Sequence, residues 1–318
     1  MTFENLLEEY KVLINNDLKV SYLNGPTSLV ETFDYVINSN GKRIRPLLLL
    51  LTSKIFNSDI KKALPAAISL ELLHNFTLVH DDVMDNDKIR RGLATVHQKW
   101  DLGTAILSGD MILSVSLNNL IKHYPKQHHI INIFTNGLLK VCEGQALDKE
   151  FESKDSITIE DYLNMIDFKT GCLLGMCTEI GAIIANVDNS ISSRLREYGI
   201  LLGRAFQIQD DYLEIFSNSN NMGKSLKSDI LLNKKTFLII LARQTVPDKI
   251  DKAILLSQDD FDLGIRMIRE IIEEYGIKEY AKQKISNIFI QANFLLDDID
   301  YDTSEIKLFS EYLSNRKR

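Results

Sequence analysis

The chain has 318 residues, 45% of them hydrophobic and 25% charged, an ordinary globular composition that is long enough to bury a large core. The net charge of −7 argues against a nucleic-acid-binding protein, because such proteins usually carry a basic stripe that meets the phosphate backbone. Three cysteines without a CxxC spacing indicate neither a disulfide framework nor a zinc site, and they favour a reducing, cytoplasmic compartment.

Apolar residues recur at intervals of three and four along nearly the whole chain, and this period predicts an all-α protein. The strongest apolar run, residues 46–51, is far shorter than the ~20 residues of a membrane span, so we expect no stable membrane insertion. The predicted helices lie at Phe3–Val20, Leu29–Asn38, Pro46–Phe56, Ala63–Asp85, Thr104–His123, Ile130–Leu147, Ile159–Asn186, Ser192–Phe216, Lys234–Arg243, Leu263–Glu274, Ile277–Leu296 and Thr303–Ser314.

The predicted helix at residues 63–85 ends in an acidic cluster, Asp81-Asp82-Val83-Met84-Asp85. Residues four apart lie on the same helix face, so Asp81 and Asp85 can share a hard cation. A solvated helix end is the simpler interpretation of such a cluster standing alone. However, Arg90-Arg91-Gly92 follows closely, and arginines beside magnesium-binding carboxylates fit the bidentate recognition of a phosphate group.

A second acidic cluster, Asp210-Asp211-Tyr212-Leu213-Glu214, begins 129 residues after the first (210 − 81), again within a predicted helix. Gln207 lies about one turn before it and could orient a substrate without carrying charge. Singly, each nearby basic residue would be interpreted as a surface charge, but several stand near turns or helix ends and form candidate phosphate-binding groups. These are Lys42, Arg43, Arg45, Lys169, Lys224, Lys234 and Lys235.

From Gly41 to the carboxyl terminus the chain resembles the trans-isoprenyl diphosphate synthases of the polyprenyl synthetase family. Six motifs occur in the family's order: GKxxRP at residues 41–46, the first aspartate-rich motif at 81–85, RRG at 90–92, GQxxD at 144–148, Lys169-Thr170, and the second aspartate-rich motif at 206–214. The resemblance implies the isoprenoid synthase fold, a single all-α domain over residues 1–318 that forms a helical bundle around a deep central cavity, and a homodimer.

The implied reaction is head-to-tail prenyl transfer. An allylic diphosphate (dimethylallyl, geranyl or farnesyl) ionises, isopentenyl diphosphate attacks the carbocation, and a proton is lost. By resemblance, Asp81, Asp85 and Asp210 would ligate Mg²⁺ directly, with three ions in each active site when substrate is bound. Asp82, Asp211 and Glu214 would hold waters or orient neighbours. Glu214 stands where the family usually has aspartate.

The resemblance also assigns the remaining candidate site residues. The allylic diphosphate would be bound by Arg90, Lys224 and Lys234, and its developing cation would be faced by Lys169, Thr170 and Gln207. Isopentenyl diphosphate would be held by Lys42, Arg45, His74 and Arg91. Without the motifs, His74 would be interpreted as a core histidine that a carbonyl group satisfies.

Product length should depend on the residues that block the cavity below the first acidic cluster. Thr77 lies one turn before Asp81 and Phe76 lies five residues before it, so Phe76 is the candidate floor. In the family that the chain resembles, a bulky aromatic residue five positions before this motif goes with short products, so the resemblance implies a C15 to C20 product, with C20 preferred. The alternatives are a longer-chain polyprenyl synthase, a class I terpene cyclase, which needs no second diphosphate site, and a non-catalytic helical subunit, which would be expected to lose ligands.

Overall fold

The computed structural model describes residues 2–216 and 232–316, and these are almost entirely helical, which confirms the all-α prediction. The first helices are α1 (Phe3–Val20), α2 (Thr27–Ile37), α3 (Ile44–Ile55), α4 (Ile60–Met84), α5 (Val96–Lys99), α6 (Leu102–His123) and α7 (His128–Glu152). They are followed by α8 (Ile159–Ile166), α9 (Cys172–Ile184), α10 (Asn189–Phe216), α11 (Phe237–Thr245), α12 (Pro247–Asp259), α13 (Phe261–Glu274), α14 (Ile277–Phe294) and α15 (Ser304–Ser314). Two short strands, β1 (Ile89–Arg90) and β2 (Leu93–Ala94), lie between α4 and α5.

The helix boundaries differ from the predicted ones where local hydrogen bonding decides them. Helix α4 begins three residues earlier than predicted, because the Asp59 side chain accepts a hydrogen bond from the Lys61 N–H and caps the helix. The single helix predicted over residues 159–186 is wrong: it is α8, a π-helical turn at Asp167–Gly171, and α9. The strands and α12 were also not predicted.

The chain divides into two compact units, each assembled from three segments. Unit 1 comprises Met1–Leu138, Leu174–Arg196 and Ile299–Leu308, and unit 2 comprises Leu139–Leu173, Glu197–Asp298 and Phe309–Arg318. In unit 1, α4 packs against α3 and α6, and its middle is buried on all sides, because every residue from 66 to 73 is buried. The acidic cluster therefore stands at the end of a core helix.

In unit 2, α11 packs against α8 and α14, and α12 packs against α13. The largest described side chains in its core include Tyr162 from α8 and Phe237 from α11, whose ring centroids lie 5.8 Å apart. This contact joins the segment that contains Lys169 to the segment that follows Lys234.

Helix α6 is the one described helix that is long and apolar enough to cross a membrane by length and composition. Of its most apolar 18-residue window, 39% is buried inside the protein. A single helix of this kind is weak evidence for a membrane span, because core helices of soluble proteins meet the same criterion.

Candidate active site

The first acidic cluster lies at the carboxyl end of α4. Asp81 and Asp82 are in its last turn, and Asp85 caps the helix, its N–H donating to the Asp81 carbonyl oxygen at 2.8 Å. Asp81 and Asp85 are half-buried, whereas Asp82 is only 4% exposed. A helix carboxyl end is negatively polarised and disfavours carboxylates, and no basic residue stands in this turn. Asp81 and Asp85 therefore form a concentrated negative site that favours a cation.

Asp82 forms an ion pair with the arginine that follows it in the hairpin. The Arg90 Nε donates to Asp82 Oδ1, and Arg90 Nη2 contacts Asp87 Oδ2 at 3.4 Å. Burial raises the pKa of Asp82 to about 6, although the charge of Arg90 opposes this. Asp82 thus orients Arg90, and the five N–H donors of a guanidinium leave Arg90 able to contact a phosphate as well.

Arg91 and Gly92 form the two-residue turn of the hairpin that joins β1 to β2. Arg90 pairs with Leu93, and φ is +52° at Arg91 and +80° at Gly92. Positive φ at both central residues defines a type I′ turn, in which glycine is strongly favoured. The glycine of the RRG motif therefore has a conformational role. The hairpin is anchored by Tyr35, whose hydroxyl donates to the Ala94 carbonyl at 2.7 Å.

Arg43, which the sequence places in a basic group with Lys42 and Arg45, is directed into the core. It is 6% exposed, and its Nη1 donates to Glu71 Oε1 at 2.8 Å. Its Nη2 donates to the Ile37 carbonyl at 2.7 Å and its Nε to Asn15 Oδ1 at 2.9 Å. These partners and its burial hold the Arg43 guanidinium in the core, where it fixes the start of α3.

His74 lies among arginines in unit 1. Burial lowers its pKa well below the usual value, and the charges of Arg45, Arg91, Arg90 and Arg43 lower it further. The imidazole is therefore neutral at pH 7. Three of the four residues predicted to hold isopentenyl diphosphate, namely Arg45, His74 and Arg91, thus interact within one cationic cluster, and the fourth, Lys42, is exposed.

Lys169 and Thr170 lie in the π-helical turn of unit 2, and such turns are frequent at functional sites. A Cβ at Gly144 would lie only 2.4 Å from the Lys169 backbone nitrogen. The glycine of the GQxxD motif is therefore needed because α7 passes directly against this turn.

Asp148 joins two of the predicted basic residues. Its Oδ2 accepts hydrogen bonds from Lys169 Nζ at 2.7 Å and Lys234 Nζ at 2.9 Å. Lys234 also contacts Glu152 Oε1 at 2.9 Å. Burial raises the pKa of Asp148, but the two lysines outweigh it and the pKa is lowered. In the sequence, Asp148 stood out only as the last residue of the GQxxD motif. Its role in holding both lysines in place was not predicted.

Thr170, Gln207 and Asp211 form a continuous hydrogen-bond chain. Thr170 Oγ1 donates to Gln207 Oε1 at 3.0 Å, and Gln207 Nε2 donates to Asp211 Oδ1 at 3.1 Å. The other Asp211 oxygen accepts from the Tyr162 hydroxyl at 2.7 Å and from the Phe237 N–H at 2.9 Å. Asp211 is 5% exposed, so it is an internal acceptor that orients the Gln207 amide. Tyr162 carried no sequence signal that could have identified it.

Asp210 is turned toward the carboxyl end of the chain. Arg316 Nη1 lies 3.0 Å from Asp210 Oδ1, and Arg316 Nη2 donates to Gln209 Oε1 at 2.9 Å. The guanidinium also stacks on the Phe206 ring, 3.6 Å from its centroid. Arg316 thus pairs with a predicted metal ligand. Lys224 lies outside the described residues.

The carboxylates suit Mg²⁺, which prefers hard oxygen ligands. Among the described residues, no three His, Cys, Asp or Glu side chains lie close enough together to hold an ion by themselves. Magnesium is commonly bound by one or two carboxylates together with substrate phosphate and water. Asp81 and Asp85 in unit 1 suit this kind of binding, and so does Asp210 in unit 2. Glu214 is half-buried at the end of α10 and keeps the negative charge of the family's aspartate.

The two candidate chain-length residues are half-buried on α4. Thr77 Oγ1 donates to the His74 carbonyl at 2.8 Å. The Phe76 ring contacts the His80 ring edge-on, with centroids 4.8 Å apart. Phe76 is thus packed against another residue of its own helix.

Comparisons with known proteins identify the family. The sequence profile described as Polyprenyl synthetase matches residues 26–273. The short chain isoprenyl diphosphate synthase of Methanocaldococcus jannaschii is 38% identical over 88% of this chain and 84% of its own. The geranylfarnesyl diphosphate synthase of Natronomonas pharaonis is 32% identical, covering 92% of this chain and 91% of its own.

Solved structures agree as well. The crystal structure of geranylgeranyl pyrophosphate synthetase from Pyrococcus horikoshii superimposes with a TM-score of 0.89 at 30% identity, covering 99% of this chain and 98% of that one. The described residues therefore have the helical isoprenoid synthase fold of these enzymes. The family match covers most of the chain, and full-length relatives exceed 30% identity. The chain therefore belongs to the polyprenyl synthetase family of prenyltransferases.

Proposed function

We propose that this prenyltransferase condenses isopentenyl diphosphate with allylic diphosphates to give a C15 to C20 product, with C20 preferred. The relatives that it resembles include short chain isoprenyl and geranylgeranyl synthases, which supports this range. A longer-chain synthase is the second candidate, and the geranylfarnesyl relative favours it. Product analysis separates the two.

The observation that carries the proposal is the cationic cluster of Arg45, His74 and Arg91. It lies in unit 1, as does the acidic cluster of α4, and it combines a neutral imidazole with arginine side chains. Glu71, whose charge also acts on Arg91, is buried and paired with Arg43. Such a cluster suits a diphosphate bound without metal, as expected for isopentenyl diphosphate. A terpene cyclase, which uses one diphosphate, needs no such cluster.

The roles of the remaining residues follow from their hydrogen bonds. When bound between the aspartates and the allylic diphosphate, Mg²⁺ would offset the negative charge that develops as the C–O bond breaks. Lys169 and Lys234, both held by Asp148 within unit 2, are the lysines that bind the leaving diphosphate in this proposal. The resemblance assigns the same role to Arg90 and Lys224.

The hydrogen-bond chain from Thr170 to Asp211 fixes the Gln207 amide, so that its oxygen and the Thr170 hydroxyl present partial negative charge to the allylic cation. The released diphosphate accepts the proton that is lost after attack by isopentenyl diphosphate.

Three Mg²⁺ ions in each active site, a homodimer and a cytoplasmic location are further parts of the proposal. The homodimer is supported by an apolar stripe along α6, formed by Leu102, Ile106, Leu113, Leu117 and Ile121. These side chains are half-buried or exposed in unit 1. The cytoplasmic location is supported by the odd number of cysteines.

The test is a set of incubations of the purified protein with Mg²⁺, labelled isopentenyl diphosphate and, in turn, dimethylallyl, geranyl and farnesyl diphosphate. We expect C20 prenol to dominate after dephosphorylation and chromatography, and chelation of the metal to abolish it. Arg91→Ala should raise the KM for isopentenyl diphosphate at least 10-fold. Absence of prenyl product with every primer would contradict the enzyme assignment, and a cyclic hydrocarbon formed from the primer alone would indicate a cyclase.

A further inference from the structure

His80 connects the candidate floor residue Phe76 to a neighbouring helix. The two rings are four residues apart on α4 and therefore lie on the same face, with centroids 4.8 Å apart and an interplanar angle of 63°. On its other side, His80 Nε2 lies 3.2 Å from the Ile106 carbonyl oxygen of α6. Because a carbonyl only accepts, Nε2 carries the hydrogen in this contact, and the hydrogen bond fixes the plane of the imidazole.

Helix α6 has a glycine where this ring lies. A Cβ added at Gly109 would be 2.2 Å from His80 Nε2 and 2.4 Å from its Cδ2, far inside van der Waals contact. Any larger residue at 109 would therefore push the imidazole out of its present place. Gly109 is buried within α6, although glycine is less favourable than alanine inside a helix. The close approach of the His80 ring is a packing reason for a residue without a side chain at this position.

We propose that His80 is a positioning residue that sets product length through Phe76, and that Gly109 provides the space in which it does so. This inference rests on the proposed function, in which Phe76 closes the end of the prenyl channel. The aromatic ring alone is a weak stop, because a phenylalanine side chain without support can change rotamer and yield to a growing chain. With the imidazole against one face, and the imidazole itself tied to the α6 backbone, Phe76 is held in one rotamer.

The test is a double-mutant cycle that measures product length. The variants are Phe76→Ala, His80→Ala, Gly109→Ala and the two double variants that combine Phe76→Ala with either of the others. Each is incubated with Mg²⁺, labelled isopentenyl diphosphate and farnesyl diphosphate, and the dephosphorylated prenols are separated by chromatography. Gly103→Ala is the control, because it makes the same change on the same helix at an exposed position where a Cβ meets only the Asp101 carboxylate, at 3.2 Å.

We expect each single variant to shift the main product by at least one five-carbon unit, and Gly103→Ala to leave it unchanged. In the Phe76→Ala background, adding His80→Ala or Gly109→Ala should produce no further shift, since the residue through which they act is gone. For His80→Ala and Gly109→Ala, the KM for farnesyl diphosphate and the Mg²⁺ requirement should change less than about 3-fold. A general distortion of the site beside Asp81 would change both by more.

Three outcomes would overturn the inference. If Phe76→Ala does not lengthen the product, the proposed floor is wrong and the role of His80 is wrong with it. If Phe76→Ala lengthens the product but His80→Ala and Gly109→Ala do not, only the role of His80 is overturned. A further shift in the double variants would mean that His80 acts independently of Phe76, which also overturns the inference. Gly109→Ala leaves both α4 residues intact, so it decides the matter even if His80→Ala fails to fold.

Discussion

His74 is the residue whose chemistry depends most on its surroundings. Its pKa is lowered well below 6.5, first by burial and then by the charges of Arg45, Arg91, Arg90 and Arg43. An imidazole that stays neutral among arginines can donate or accept one hydrogen bond without adding another positive charge. In the proposed function, the arginines attract the diphosphate of isopentenyl diphosphate and the His74 imidazole orients it through a hydrogen bond.

The lowered pKa of His74 makes stability fall at acidic pH. In the unfolded chain a histidine takes up a proton near pH 6.5, whereas folded His74 does so only at a much lower pH. The unfolded state therefore binds more protons just below pH 6.5, and stability is lost as the pH falls through that value. Between pH 7.5 and 5.5, His74→Gln should remove about 1 kcal/mol of this loss.

The measurement is the free energy of unfolding from urea titrations at the two pH values. The exposed residue His128, at the start of α7, provides the matched control variant His128→Gln. If the free energy of unfolding fell equally with pH in the wild type and in His74→Gln, folded His74 would take up its proton as readily as the unfolded chain does. That result would contradict the lowered pKa.

The sequence was enough to select most of the charged candidate site residues. It did not predict the direction in which each side chain points. Asp81, Asp85 and Asp210 stand out in the sequence because carboxylates at spacing four interrupt apolar helices. The inward turn of Arg43 depends on Asn15, 28 residues away. The role of Tyr162 depends on Asp211, 49 residues away. Pairings of this kind are decided by tertiary packing, which no local pattern encodes.

At the scale of elements, the contact between α7 and the π-helical turn carries a clear prediction for Gly144. A Cβ there would lie 2.4 Å from the Lys169 nitrogen and 2.8 Å from its Cα, and backbone atoms cannot move aside as a flexible side chain can. Gly144→Ala should therefore destabilise the protein by about 1–3 kcal/mol and should lower activity, because Lys169 shifts relative to Asp148.

Urea unfolding and steady-state kinetics test this together. Gly103→Ala on α6, where a Cβ meets only the Asp101 side chain, should change stability by less than about 1 kcal/mol and should leave activity unaltered. If Gly144→Ala were as benign as Gly103→Ala, the close approach of α7 to the π-helical turn would not exist in solution.

The end of α15 allows a second prediction at this scale. Arg316 lies 3.0 Å from Asp210, and its side chain is 7% exposed. A cation that binds Asp210 must share this carboxylate with the guanidinium or displace it. Arg316→Ala should therefore tighten Mn²⁺ binding to the substrate-free protein by about 2- to 5-fold, the range expected for a partly exposed ion pair.

Titration calorimetry with Mn²⁺ measures this affinity directly. Arg266→Ala, which removes an exposed arginine from α13, should leave it unchanged. Weaker Mn²⁺ binding by Arg316→Ala would show that Arg316 supports the ion instead of competing with it. The KM for isopentenyl diphosphate after deletion of residues 316–318 tests separately whether this end of the chain closes over the substrates, and an unchanged KM would exclude that role.

Long helices were predictable because a 3.6-residue period repeats many times within them, as in α1, which matches its prediction at both ends. Short departures from that period were not. A π-helical turn of five residues shifts the hydrogen bonds by one position without changing the apolar pattern. The strands β1 and β2 have two residues each, too few for an alternation to be recognised.

For the whole molecule, the two compact units help to explain why the sequence has no visible boundary. Each unit is assembled from three separate segments, and α7, α9, α10 and α15 each contribute residues to both. A chain organised in this way has no linker with a distinctive composition. One domain over residues 1–318 therefore stays a prediction, and cooperative unfolding in a single transition is the observation that would support it.

The apolar stripe of α6 carries the last prediction, which concerns assembly. Ile106 and Ile121 are 43% and 45% exposed in unit 1, at helix positions that lie near one another around the α6 axis. Exposed apolar side chains in a continuous stripe are typical of a surface that another molecule covers, and a second copy would pair the stripe with itself about a two-fold axis.

We therefore expect the wild type to sediment as a particle of twice the 36.3 kDa of one chain. The double variant Ile106→Glu and Ile121→Glu should sediment as a single chain, because burying two carboxylates against an apolar partner without counter-ions strongly opposes association. Leu255→Glu, at a 64% exposed position on α12, should remain dimeric. A wild type that sediments as a monomer at micromolar concentration would contradict the dimer, and flotation of the wild type with lipid vesicles would show that the stripe contacts a membrane instead.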